Sequence, residues 1–243
     1  MAGSYSALCS DHYVNLKLGL KLELSQRRET VLGFFERMRR QYPAMSEFRK
    51  YADELALETA QDASPHSWLA VRSTSVRAGV VNPPTLGQAY RLHRAALEVS
   101  PFFLDVSPLD VGYVEVLYGF DIAAGPKQDG VLGDVLLGQS PLGSMLDIPG
   151  SRLVDFQPML GFVLEDSTEA YIEIKTRTDN TKRGRSDEPI SVFLILRRHG
   201  PIDVLKDLVG IFDELVVQGE ELVESKVLPG LVNPIRQSIV PGL

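Results

Sequence analysis

The sequence predicts an α+β protein: an antiparallel sheet with helices on one face, arising by tandem duplication of a β-α-β-β(-β)-α unit. Three observations carry that prediction. Tyr13 to Leu24 alternates strictly, with Val14, Leu16, Leu18, Leu20, Leu22 and Leu24 in one phase and Asn15, Lys17, Gly19, Lys21 and Glu23 in the other. Such alternation marks a half-buried strand with one wet face. Residues 113–138 then repeat 13–38 in the same strand phase. Finally, Leu205, Leu208, Phe212, Leu215, Leu222 and Val223 form an apolar stripe on a long helix near the end of the chain, suited to lying across a sheet.

Length and composition bound the rest. At 243 residues, with 44% apolar and 23% charged side chains, the chain can bury a core without metals or disulfides. Its single cysteine, Cys9, excludes an internal disulfide framework and a cysteine-clustered zinc site. Lacking a partner thiol, a charged leader and any long apolar run, the sequence points to a cytoplasmic protein with no membrane span. A net charge of −7 disfavours non-specific binding to nucleic acid.

Four segments follow from this reading: a flexible arm (1–12), a first α+β half (13–106), a second α+β half with a long C-terminal helix (107–227) and an apolar tail (228–243). After the first strand, Ser25 is positioned to cap a helix from Gln26, with Val31, Phe34, Phe35, Met38 and Tyr42 at helical spacing. Ser46 to Tyr51 reads as a short helical piece, 54–60 as a strand and Trp68 to Val81 as one longer strand. Asn82-Pro83-Pro84-Thr85 ends that strand and opens a helix over 86–98. Ser100-Pro101 and Ser107-Pro108 bracket a connector between the halves.

Val111 to Ala123 alternates again, Gly125-Pro126 turns the chain, and 129–138 is a short helix weakened by two glycines. Three strands follow: one within 153–165, Glu169 to Thr178, and Ile190 to Arg198, which is apolar on both faces and so central. The polar stretch 179–189 reads as a loop, and Asp203 to Ser225 as the closing helix. In the tail, proline and glycine are expected to forbid a continuous helix.

Within the repeat, Tyr13/Tyr113, Val14/Val114, Gly19/Gly119, Val31/Val131, Leu32/Leu132 and Gly33/Gly133 are identical. The order of elements repeats as well. In layout alone this arrangement resembles a tandem helix-grip or TBP-like protein, and 13–123 taken alone is similar to the ferredoxin-like βαββαβ order. A likeness of layout implies no activity.

No catalytic constellation emerges. His12, His66, His93 and His199 show no metal-ligand spacing, so no metal and no cofactor are expected. Gly138 to Ser144 lacks the lysine of a phosphate-binding loop, and Ser140 is not in a nucleophile elbow. Charge is uneven: 27–50 holds seven basic and three acidic residues, whereas 203–226 holds seven acids and two lysines, which suggests that the two helices face each other.

The expectation is therefore a non-enzymatic binding or assembly protein, a homodimer or the partner of another protein. Its interaction residues would be Leu231, Ile235, Ile239 and Leu243 of the tail, with Arg183 and Arg185 of the polar loop. The alternative is a small-molecule binder or cofactor-free enzyme. Its pocket would lie between a curved sheet and helix 203–225 and be lined by His93, Tyr118, Tyr171 and Phe193.

Overall fold

The computed structural model describes residues 5–24, 28–124, 128–146, 148–151, 153, 156–176 and 189–239. Ser25, Gly125-Pro126, most of the 179–189 loop, Arg183, Arg185 and Leu243 lie outside the described residues.

The strands are β1 (Asp11–Leu20), β2 (Glu47–Lys50), β3 (Glu54–Glu58), β4 (His66–Arg72), β5 (Ser75–Val81), β6 (Val111–Ala123), β7 (Met159–Val163), β8 (Glu169–Thr176) and β9 (Pro189–His199). They form one antiparallel sheet in the order β2-β3-β4-β5-β1-β6-β9-β8-β7. The strand recognised first in the sequence, β1, therefore lies at its middle, paired with β6. In that pairing Tyr13 lies opposite Gly119 and Gly19 opposite Tyr113.

Helices α1 (Arg28–Gln41), α2 (Leu86–Leu104), α3 (Gln128–Leu137), α4 (Asp207–Leu222) and α5 (Asn233–Ile239) complete the fold. The even-numbered residues of β1, and those of β6 from Val114 onward, are buried, among them Val14, Leu16, Leu18, Val116 and Tyr118. Against them pack α2 and α4, the latter through Leu208, Phe212, Leu215 and Gly219, spaced by one helical turn. A Cβ on Gly219 would sit 2.4 Å from the Tyr118 ring, so the missing side chain is what lets α4 approach the sheet there. The basic helix α1 packs on α2, while α4 pairs Asp213 with Arg94 of α2 at 2.7 Å. Within the chain, α1 and the acidic helix α4 thus each pack on α2.

Several local expectations are corrected. Trp68–Val81 is a hairpin rather than one strand, with Arg72 opposite Ser75 across a turn at Ser73-Thr74. That pair lacks the Gly or Asn that usually announces a tight hairpin. Glu47–Lys50 is an edge strand, not a helical piece. Helix α2 continues through Pro101 to Leu104. The proline forgoes the bond its N–H would make to the Leu97 carbonyl, and the helix still runs three residues past it.

The arm is docked from Tyr5 onward. The Tyr5 ring packs edge-on to His12 and Phe120, and its hydroxyl donates to Glu224 at 2.9 Å. The described part of the tail, through Ile239, is helical, contrary to the prediction from its prolines. From α4 the chain continues through a π-helical segment, Val223–Val232, into α5. The wider π-type coil admits Pro229, and at its end the Asn233 N–H reaches back five residues to donate to the Leu228 carbonyl.

Candidate functional site

The other face of the sheet defines the site. None of the described helices packs on it. Its residues are the odd-numbered ones of β1 and β6 and their register partners. Two rows run across the strands side by side. One is Arg77, Lys17, Glu115, Arg197 and Glu169; the other is Trp68, Gly79, Asn15, Leu117, Ile195 and Tyr171. A charged row thus adjoins an apolar one.

Aromatic rings lie flat on this face because glycines make room for them. A Cβ on Gly19 would meet the Tyr113 ring at 2.3 Å, one on Gly119 the Tyr13 ring at 2.1 Å, and one on Gly79 the Trp68 ring at 2.5 Å. Cations flank the same rings. Arg197 stands 4.5 Å and Lys17 5.2 Å from the centre of Tyr113, and Arg77 stands 5.4 Å from that of Trp68. These are cation–π distances. Carboxylates hold the guanidinium groups in place: Glu115 accepts from Arg197 Nε at 2.9 Å, and Glu54 accepts from Arg72 Nε at 2.7 Å and from Arg77 at 3.4 Å.

The face is hollow at two places. A depression of about 650 Å³ is lined by Asn15, Lys17, Arg72, Arg77, Tyr113 and Glu115. A shallower one of about 430 Å³ lies between Asp11, Tyr13, His66, Trp68 and Asp121. Cations dominate the first and carboxylates the second. In the second, Tyr13 and Ser191 donate to the Asp121 carboxylate at 3.2 and 2.6 Å. Such a surface can bind an elongated partner through ring stacking, guanidinium–carboxylate pairs and apolar contact.

The four residues expected to line one pocket lie on two faces. Tyr171 and Phe193 are on the open face, with Phe193 6.3 Å from Tyr13. Tyr118 and His93 are buried on the helix side. There the Tyr118 hydroxyl bonds to that of Tyr90 at 3.0 Å and donates to the Val216 carbonyl at 3.3 Å. Burial pushes the hydroxyls of both tyrosines to ionise well above their ordinary range. His93 packs edge-on to Phe212 with both ring nitrogens unpartnered, and burial, reinforced by Arg94, lowers its pKa to about 3.

Of the tail residues, Ile235 is fully buried within this chain, and Leu231 and Ile239 are half-buried against the same core. Cys9 is half-buried, its thiol pushed up to about 12 by burial and then by Asp11 and Asp121, so it is no ready nucleophile. No group of three His, Cys, Asp or Glu side chains among the described residues could hold a metal, and none of their helices is long and apolar enough to cross a membrane.

Lys17, Trp68, Arg77, Tyr113 and Arg197 were not singled out from the sequence as site residues. A signal for part of the set was present: Tyr13…Gly19 recurs as Tyr113…Gly119, both on the wet phase of their strands. No protein-family model and no curated protein matches the chain.

Proposed function

We propose that the chain is a non-enzymatic binding and assembly protein, derived by tandem duplication, whose recognition surface is the open face of the sheet. The observation that carries this reading is the set of half-exposed rings over glycines, with cations beside Tyr113 and Trp68, on a face no described helix covers. Duplication is supported by the reciprocal pairs Tyr13–Gly119 and Tyr113–Gly19 at the middle of the sheet. Strand order supports it too: β5, β4, β3 run outward from β1 as β9, β8, β7 run outward from β6.

The open face fits a protein segment bearing carboxylates beside flat apolar side chains, since both kinds of complementary group stand in adjacent rows. A pocket between sheet and closing helix draws no support from the packing, because Tyr118, Phe212 and Leu215 fill that layer. Assembly through the tail is likewise disfavoured, because Ile235 is buried within its own chain.

The test is selection of binders from a random peptide library on the purified protein, followed by titration against the variants Tyr113→Ala, Arg197→Gln and Arg77→Gln. The reading expects acidic, aromatic-containing peptides whose affinity falls at least about tenfold with Tyr113→Ala, the size of a lost stacking and cation–π contact. Binders indifferent to all three substitutions would remove the open face from consideration.

A further inference from the structure

The two edges of the sheet are treated differently by the sequence. At one edge β2 reads EFRK: four residues, three of them charged, with Arg49 bridged to Glu47 and, at 3.2 Å, to Glu58. Short length and charge are how natural edges avoid joining other sheets. At the other edge β7 reads MLGFV, without a charge, a proline or a bulge. Its four side chains are between 49% and 73% exposed. An apolar, unguarded edge strand is a template for another strand.

The backbone shows which groups are offered. Ile174 N–H donates to the Pro158 carbonyl at 3.0 Å and Leu164 N–H to the Thr168 carbonyl at 2.8 Å. In the alternation of an antiparallel ladder, the even residues of β7 therefore bond to β8. The N–H and C=O groups of Met159, Gly161 and Val163 point away from the sheet.

We infer that β7 pairs with β7 of a second copy, antiparallel about a twofold axis at Gly161, joining two sheets into one across the dimer. The sequence is self-complementary in that register. Gly161 meets Gly161 and Met159 meets Val163 as hydrogen-bonded pairs, so all the outward groups find partners. Leu160 meets Phe162 on the helix side, the closer kind of cross-strand pair. Charge selects the direction. The antiparallel register sets Glu165 opposite Gln157, whereas parallel pairing would stack Glu165 on Glu165 and Asp166 on Asp166. A second copy is favoured over a foreign peptide because the strand offers only apolar side chains that its own sequence complements. Five paired residues a side cover far less than the ~1,600 Å² of a standard interface, so association in the micromolar range is expected.

The experiment is sedimentation velocity on the full chain alone, from about 1 to about 200 µM, bracketing that range. The inference is independent of what the open face binds, and so is this readout. Expected is a concentration-dependent rise to twice the 26.9 kDa of the chain. Two variants identify the edge. Phe162→Lys places a charge opposite Leu160 of the other copy. Gly161→Pro removes one outward N–H and leaves every β7–β8 bond in place. Each is scored with its far-UV circular dichroism unchanged, and each should be monomeric throughout the range. A wild-type chain monomeric at the highest concentration overturns the inference, as does a dimer that persists in a folded Gly161→Pro variant. Should Gly161→Pro fail to fold, Phe162→Lys decides by the same criterion.

Discussion

The two faces of the sheet carry aromatic residues in similar number and use them in opposite ways. On the covered face, Tyr118, Phe120 and Phe212 are enclosed, and the Tyr118 and Tyr90 hydroxyls bond to each other. On the open face, Tyr13, Trp68, Tyr113 and Phe193 lie half-exposed beside cations and carboxylates. The covered face holds the fold together. The open face contributes less to the core, since its rings stay half-exposed. Substitutions that penalise the two faces equally would dissolve the distinction.

The largest expected effect is on the covered side and depends on pH. His93 has a folded-state pKa lowered to about 3, so the unfolded chain takes up the proton first. Stability from this group is fully present above the ordinary histidine value of about 6.5 and is lost as pH falls from there towards 3. The slope is up to about 1.4 kcal/mol per pH unit, on the order of 5 kcal/mol across the window. His12, lowered chiefly by burial, contributes with the same sign. Denaturant titrations of wild type and His93→Leu at pH 7, 5.5 and 4.5 check this: the variant should show the flatter dependence. Equal slopes would mean that His93 reaches water or an unseen partner.

Next in size is Phe212→Ala. It opens a cavity where α4 meets Tyr90 and His93, at a cost of about 3–5 kcal/mol. Urea unfolding should show the midpoint falling accordingly. A loss under about 1 kcal/mol would mean that α4 is not the principal cover of the sheet.

Much of the covered face was legible in advance, because burial writes a period into the sequence. β1 and β6 were read in the correct phase, as was the stripe of α4, since each alternates or repeats cleanly, whereas β9 was read only as apolar on both faces. The turn at Ser73-Thr74 was not legible, because neither residue announces a hairpin. The helical tail was not, because proline is a breaker only where the coil is too tight to admit its ring. The open face was legible only in part. Its Tyr–Gly pairs stand in the sequence as a repeat, but their meaning depends on β1 and β6 lying side by side with Tyr13 over Gly119. Which strands are neighbours is a long-range fact that periodicity does not encode. The placing of Tyr171 and Tyr118 in one pocket failed for that reason: each sits on a well-read strand, but the two strands present them to opposite faces.

On the open side the effects shrink. Gly119→Ala and Gly19→Ala each force a tyrosine ring to move, but the rings are half-exposed and can swing outward, so each should cost about 1 kcal/mol, at the mild end of overpacking. Their equality matters more than their size. If the halves are equivalent, the two substitutions agree within about 0.5 kcal/mol, and pairing each with removal of its own ring (Tyr13→Leu with Gly119→Ala, Tyr113→Leu with Gly19→Ala) relieves the strain. Unequal costs without relief would show that the two sites differ in packing despite their matching register.

Smallest of all is the removal of an open-face cation. Arg77→Gln breaks a half-exposed pair with Glu54 and a contact with Trp68, and should change stability by less than about 1 kcal/mol, falling further in high salt. That small value is decisive. A cation that contributes little to the fold, yet is held over a ring by a carboxylate, is positioned at a cost in side-chain freedom that folding alone does not recover. A measured loss above about 2 kcal/mol would reclassify the charged row as a structural device and leave the open face without a recognition role.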